Sequence, residues 1–155
     1  MSIEMKNLMQ VSAIENGTVI DHIPASNLFK VINILHLDVI GNPMTFGSNL
    51  ESGKLGKKAI VKISDKFFAD DEINRIALVA PEAKLNIIRN YLVVEKREVK
   101  VPCNIVGIVK CVNPTCITNH ENIIPKFKVV SDSEISLMCE YCEKITESDQ
   151  MRFIY

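Results

Sequence analysis

Apolar residues in the first hundred positions switch repeatedly between a period of two and a period near 3.6, so short strands should interleave with helices. Val11 to Glu15 and Thr18 to Ile23 read as two strands of a hairpin around the turn Asn16-Gly17. Pro24 and Ser26 then open a helix whose apolar face is Leu28, Val31, Ile32 and Leu35, closed off by Gly41-Asn42-Pro43. Met44 to Leu50 and Ala59 to Ile63 form the next strand pair, joined by the polar, glycine-rich turn Glu51 to Lys57. A second helix begins at Asp70, shows Ile73, Ile76, Ala77 and Ala80 on one side, and stops before Pro81. Leu85 to Ile88 and Tyr91 to Glu95 close the series. This order predicts an antiparallel or mixed α+β sandwich. The run Lys96 to Pro102 alternates in charge and ends in proline, which places a domain boundary there.

Beyond that boundary the signal changes from periodicity to cysteine spacing. Cys111 and Cys116 form C-x4-C, a gap of 22 residues follows, and Cys139 and Cys142 form C-x2-C. Two tight turns supplying two thiolates each describe a tetrahedral four-cysteine zinc site. The other reading, two disulfides, needs an oxidising compartment. The start Met-Ser-Ile-Glu-Met-Lys lacks a basic-then-apolar leader, so the expected location is cytoplasmic. A closed thiolate shell has no position for water or substrate, so the metal is structural and supplies folding free energy to a small module. Cys103 is left over, outside both turns and with no histidine near it in sequence.

Composition narrows the function. The chain has 155 residues, 47% hydrophobic and 24% charged, with net charge -1, and no apolar run long enough for a membrane span. From residue 101 onward five Lys/Arg face seven Asp/Glu, the wrong sign for holding a nucleic-acid backbone. The turn at Gly53, Gly56, Lys57 and Lys58 fails as a phosphate loop, because Glu51 and Lys58 stand where glycine and Ser/Thr are required; it reads as a basic hairpin turn. Asp21-His22 are neighbours on a strand and should face opposite sides. No Ser/His/Asp order, H-E-x-x-H or carboxylate pair suggests an enzyme. Lys62, inside an apolar strand, and Lys96 can together form a cationic pocket for a phosphorylated ligand.

Four segments carry a resemblance: Gly17-Thr-Val-Ile-Asp-His-Ile-Pro-Ala25, Ala77-Leu-Val-Ala-Pro81, Asn90-Tyr-Leu-Val-Val-Glu-Lys96, and the cysteine pairs ending in Cys-Glu-Tyr-Cys-Glu-Lys144. Together they resemble the regulatory chain of aspartate carbamoyltransferase, from about Val11 to Lys144. The resemblance implies an α+β fold: an antiparallel or mixed sheet with two helices (ferredoxin-like), followed by a small all-β zinc domain with four cysteine ligands. Residues 1–100 would bind nucleotide effectors, CTP and ATP, and form a homodimer. Residues 101–155 would dock on the trimeric catalytic chain of the pyrimidine pathway.

The effector pocket implied by the resemblance comprises Val11, Ala13, Ile14, Val19, Asp21, His22, Lys62, Asn86, Ile88, Tyr91, Val93 and Lys96. Lys62 and Lys96 would meet phosphate or ribose, and Asp21 would serve as a ribose- or metal-facing acceptor. Cys111, Cys116, Cys139 and Cys142 would hold Zn2+, and Asn113, Glu143 and Lys144 would contact the catalytic chain. The chain departs from the family pattern at Leu8, where a lysine is familiar, at Ser12 in place of a glutamate, and at Thr115 in place of a second asparagine.

Overall fold

The structure, a computed structural model, describes residues 13–131 and 133–154. Two compact units meet in sequence at Lys100 and Val101. The first is built from β1 (Gly17–Pro24), α1 (Leu28–Ile34), β2 (Met44–Ser52), β3 (Gly56–Ser64), α2 (Asp70–Ile73), β4 (Lys84–Arg89) and β5 (Leu92–Glu98). All pairings are antiparallel, in the order β2-β3-β1-β4-β5. That is the ferredoxin-like strand order with β5 added at one edge. On β1, β3 and β4 one face carries Ile20, Ile23, Ala59, Val61, Ile63, Leu85 and Ile87, all buried. With Leu28, Val31, Ile32, Ile76 and Ala77 from the helical segments they make the apolar core.

Several expectations need correction. Residues 13–16 form no strand, and Val11 lies outside the described residues, so the N-terminal hairpin is absent among them. β1 pairs instead with the distant β3 and β4. The reason lies in Gly17, whose φ is +142° and where a β-carbon would collide with the carbonyl oxygen of Ile63. This glycine is needed for close approach to β3, not for a hairpin turn. Gly17→Ala should lower stability by at least about 2 kcal/mol, read from the urea midpoint of the N-terminal unit. An effect below about 0.5 kcal/mol would contradict the close approach.

The second helix is also tighter than its sequence suggests. After one α turn, Asn74–Leu78 continue as a 3-10 helix, yet Ile73, Ile76, Ala77 and Ala80 are all buried. Residues three apart eclipse in a 3-10 helix, so the same apolar set still faces the sheet. The first helix ends at Ile34, earlier than expected, and His36 takes a left-handed φ of 54°, leaving Leu35 half-buried beyond the helix end. Lys96 lies within β5 rather than after it, and Tyr91 lies in the turn before it.

The second unit has a four-stranded sheet in the order β10-β9-β8-β6 and a two-stranded ribbon of β11 and β7. These are β6 (Asn104–Val106), β7 (Val109–Lys110), β8 (Lys126–Ser131), β9 (Ser136–Cys139), β10 (Ile145–Glu147) and β11 (Arg152–Phe153). Its apolar core is small: Ile105, Ile108, Val109, Phe127 and Leu137. Among the described residues no helix is long and apolar enough to cross a membrane.

Candidate functional site: an effector face and a cysteine centre

Side chains directly opposite one another on paired strands share a face. The registers Thr45↔Lys62, Lys62↔Val19, Val19↔Asn86 and Asn86↔Lys96 therefore draw one continuous row across all five strands, on the face opposite Ile20. Four residues of the implied pocket, Lys62, Val19, Asn86 and Lys96, are consecutive members of that row. Beside it, Val19, Ile60 and Ile88 form a buried apolar cluster, with Ile14 and Leu50 packed against it. A cleft of about 330 Å3 opens at the β4–β5 side, lined by Asp21, His22, Lys84, Asn86, Val93, Lys96, Arg97 and Glu98. Five implied residues thus share the cleft: Asp21, His22, Asn86, Val93 and Lys96. Ala13 is exposed and Val11 lies outside the described residues.

Asp21 and His22 reach the same cleft because β1 is irregular between Ile20 and Ile23, and His22 adopts a φ of 60°. The bulge cancels the alternation that would have separated them. Asp21 Oδ1 accepts the His22 backbone N–H at 2.6 Å, and His22 Nδ1 lies 3.6 Å from Asp21 Oδ2. Lys58 donates its ammonium to both oxygens of Asp21, at 2.8 and 3.1 Å, with each residue at most 3% exposed. The Asp21 carboxylate is therefore held by a buried counter-ion. Lys58 is not part of a solvated turn, as its place beside Gly56-Lys57 suggested; β3 already begins at Gly56. Period-two spacing of Lys58, Ile60 and Lys62 was the signal that could have put Lys58 on the same face as Lys62.

Lys62 is buried, and its pKa is lowered from 10.5 by loss of hydration, with the Asp21 charge acting in the opposite direction. Its sign is unambiguous. In the window between the lowered folded value and the unfolded value, the unfolded chain holds more protons, so stability gained from this group rises with pH there. Lys62→Met should flatten that rise in a urea-stability profile; an unchanged profile would contradict the burial effect. Arg97 is occupied by Glu95 at 2.9 Å and Asp70 at 3.3 Å. Lys84 and Lys96 have no salt bridge among the described residues, and sequence reasoning missed Lys84. Asn90 and Tyr91, with φ of 51° and 66°, make the two-residue β4–β5 turn in left-handed geometry that suits Asn better than Tyr. Tyr91 is 65% exposed at its tip.

In the second unit the four Sγ atoms of Cys111, Cys116, Cys139 and Cys142 all lie within 4.8 Å of one another. Cys111 and Cys142 are 3.6 Å apart, and Cys116 and Cys139 are 3.8 Å apart. A tetrahedron with Zn–S bonds of ~2.3 Å has edges of ~3.8 Å, so the donor set fits one tetrahedral ion. Both close contacts join one turn to the other, the opposite of a disulfide within each turn. Asn119 Nδ2 fastens the first turn by donating to the carbonyls of Cys111 and Asn113 at 3.0 and 2.7 Å. In the second turn Glu143 N donates to Cys139 O at 2.9 Å, with Glu143 at a φ of 63°. The Asn113 side-chain carbonyl accepts from Thr115 N and Oγ1 at 3.1 and 2.9 Å. His120 bonds Pro114 O at 2.7 Å and stays outside the cluster, and Cys103 is exposed.

Burial pushes the Cys111 thiol up to about 12 and raises Cys139 as well. Burial also acts upward on Cys142, but hydrogen bonds from the Lys144 backbone and from Asn113, Cys111 and Cys139 outweigh it and bring that thiol down to about 7.

Both units match one family over consecutive stretches. Residues 9–100 match the aspartate carbamoyltransferase regulatory chain, allosteric domain, and residues 103–152 match its metal binding domain. The chain belongs to the aspartate carbamoyltransferase regulatory chain family. Regulatory chains from Bacteroides fragilis and Parabacteroides distasonis are each 52% identical to it, over 97% and 96% of this chain and 99% and 97% of the relatives. The regulatory chain of Thermococcus sibiricus is 51% identical over 95% of this chain and 97% of its own length. As a member of this family the chain is a regulatory, non-catalytic subunit with an allosteric domain and a metal-binding domain. Membership implies a catalytic chain as partner.

Proposed function

We propose that the chain binds nucleotide effectors, CTP and ATP, on the face that carries Lys62, Val19, Asn86 and Lys96, and that it shifts the activity of catalytic trimers through a docked zinc domain. The observation that carries this reading is the row itself: two lysines flank Val19 and the Asn86 amide, with the apolar cluster of Val19, Ile60 and Ile88 alongside. That combination suits a base and ribose against the apolar and amide groups, with phosphates meeting the lysine charges. Lys84 adds a further charge at the cleft. Asp21, held by Lys58, serves mainly to fix the bulge that turns His22 into the cleft.

Regulation then follows from differential binding. A nucleotide that favours one quaternary state over another shifts the equilibrium by its affinity difference, typically about 1–3 kcal/mol, and substrate must change nucleotide affinity reciprocally. The N-terminal unit would form the homodimer, and four thiolates on one zinc ion would hold the docking surface around Asn113, Glu143 and Lys144 in shape. Bound zinc supplies a structural cross-link and no reactive position, because all four of its places are taken by sulfur.

Lys96→Ala tests the reading. It should raise the nucleotide concentration for half-response by about tenfold or more, the usual effect of losing a charge-assisted contact, while assembly with catalytic trimers remains intact. A variant that no longer assembled, or one that responded to CTP and ATP like the parent chain, would contradict the assignment.

A further inference from the structure

A second cavity, of about 680 Å3, lies wholly within the zinc-binding unit, beside the first cysteine turn. Cys111 and Pro114 of that turn form part of its wall, and Lys110, Asp149 and Arg152 bring charge to it. The register of the β7–β11 ribbon sets Arg152 directly opposite Lys110. Like charges in directly opposed positions repel and weaken a strand pair. Neither side chain has a salt bridge among the described residues. This basic pair also stands in a segment whose overall balance from residue 101 onward is acidic, five Lys/Arg against seven Asp/Glu. This exposed basic pair on a two-stranded ribbon, offset only in part by Asp149, suits an anion from outside the unit.

Size and position select the kind of anion. The cavity, about 680 Å3 and open on one side, is wider than one carboxylate or one inorganic phosphate needs. A stretch of polypeptide carrying a carboxylate fills it better. The wall takes in Cys111, Val112 and Pro114 of the first cysteine turn, the turn that also carries the half-buried Asn113 proposed to dock. We infer that the Lys110–Arg152 pair receives an acidic segment of the catalytic chain, so that a carboxylate from the partner relieves the cross-strand repulsion. This inference rests on the docking role proposed above and adds to it a site and a charge. Asp149 trims the local charge to a net of one, which favours a single carboxylate over a multiply charged group.

Reconstitution of the full chain with its cognate catalytic trimer provides the test, with assembly affinity measured across a range of salt and zinc counted in each variant. Lys110→Glu/Arg152→Glu should weaken assembly by about a hundredfold or more, and Lys110→Gln/Arg152→Gln by about tenfold with a flatter salt dependence. Both should retain the zinc content of the parent chain, which separates a lost contact from a lost fold. Zinc-replete variants that assemble like the parent chain, with the same salt dependence, would overturn the inference and leave the docking role standing. If the parent chain itself failed to assemble at any salt concentration, the docking role would fall and the inference with it. Addition of inorganic phosphate is a further arm: binding of phosphate at the pair without any effect of charge reversal on assembly would show a free-anion site and contradict the partner carboxylate.

Discussion

Lys58→Met is expected to destabilise the N-terminal unit by about 3–5 kcal/mol, the usual cost of stripping the partner from a buried charge. The ammonium of Lys58 bridges both Asp21 oxygens, and neither residue is more than 3% exposed, so removing it strips a buried carboxylate of its directly bonded counter-charge. Asp21→Asn should cost nearly as much for the mirror reason. The double variant Asp21→Asn/Lys58→Met should recover a large part of the loss, because neither member of the pair then leaves the other's charge buried alone, and Asn can still accept the His22 N–H. A coupling energy on the order of 2 kcal/mol between the two sites is the expected result. It should be measured by urea unfolding with a probe inside the N-terminal unit, since the chain has two units and a single global transition is not assured. Additive effects, or single-variant losses under about 1 kcal/mol, would show that the pair is solvated. The same cycle bears on function: loss of the pair frees the bulge at Asp21-His22, so nucleotide affinity should fall even though Lys58 faces Asp21 rather than the cleft.

Removing the metal is expected to have a still larger effect, confined to the second unit. Among the described residues the small core of the zinc-binding unit is Ile105, Ile108, Val109, Phe127 and Leu137, with Pro125 buried beside them and the cysteines. Metal binding in modules of this kind supplies about 10–16 kcal/mol at neutral pH, more than such a core can replace. Chelation, or Cys139→Ser, should therefore unfold residues beyond about 101 while the β1–β5 sheet stays folded. In the assembled enzyme it should release catalytic trimers that are active and insensitive to nucleotide. Acid should act in the same direction. The Cys111 thiol, pushed up to about 12, and the raised Cys139 thiol must lose their protons to bind metal, whereas Cys142, down at about 7, gives its proton up readily. Protons thus compete with the ion, and metal affinity should fall steadily as pH is lowered. Amide spectra of the metal-free chain that still showed β8 and β9 formed would contradict this account.

Much of this architecture was legible in the sequence, and the failures are instructive. Strand alternation placed β1 and β4 closely and the later part of β3, and helical spacing picked Ile73, Ile76, Ala77 and Ala80 as a buried set even though their backbone is partly 3-10. Cysteine spacing found the four thiolates that the fold draws together, because a tight turn fixes each pair locally. What escaped was non-local. Gly17 looked like a hairpin glycine, but its conformation answers to the Ile63 carbonyl across the sheet. The bulge at Asp21-His22 depends on register with β3, which no local pattern encodes. Lys58 was misjudged because charge beside glycine resembles a solvated turn, and only its buried partner 37 positions earlier reveals otherwise. The short strands of the zinc-binding unit gave little periodic signal, since a ribbon of two-residue strands is too brief to alternate.

The central claim, that this chain carries nucleotide binding to a catalytic partner, is tested most directly by carbamoyltransferase activity of the cognate catalytic trimer, measured with and without the chain across CTP and ATP titrations. The account predicts a larger complex whose activity changes with nucleotide, and whose response shifts to higher concentration in Lys96→Ala. A complex of unchanged activity at every nucleotide concentration, or no complex at all, would contradict it.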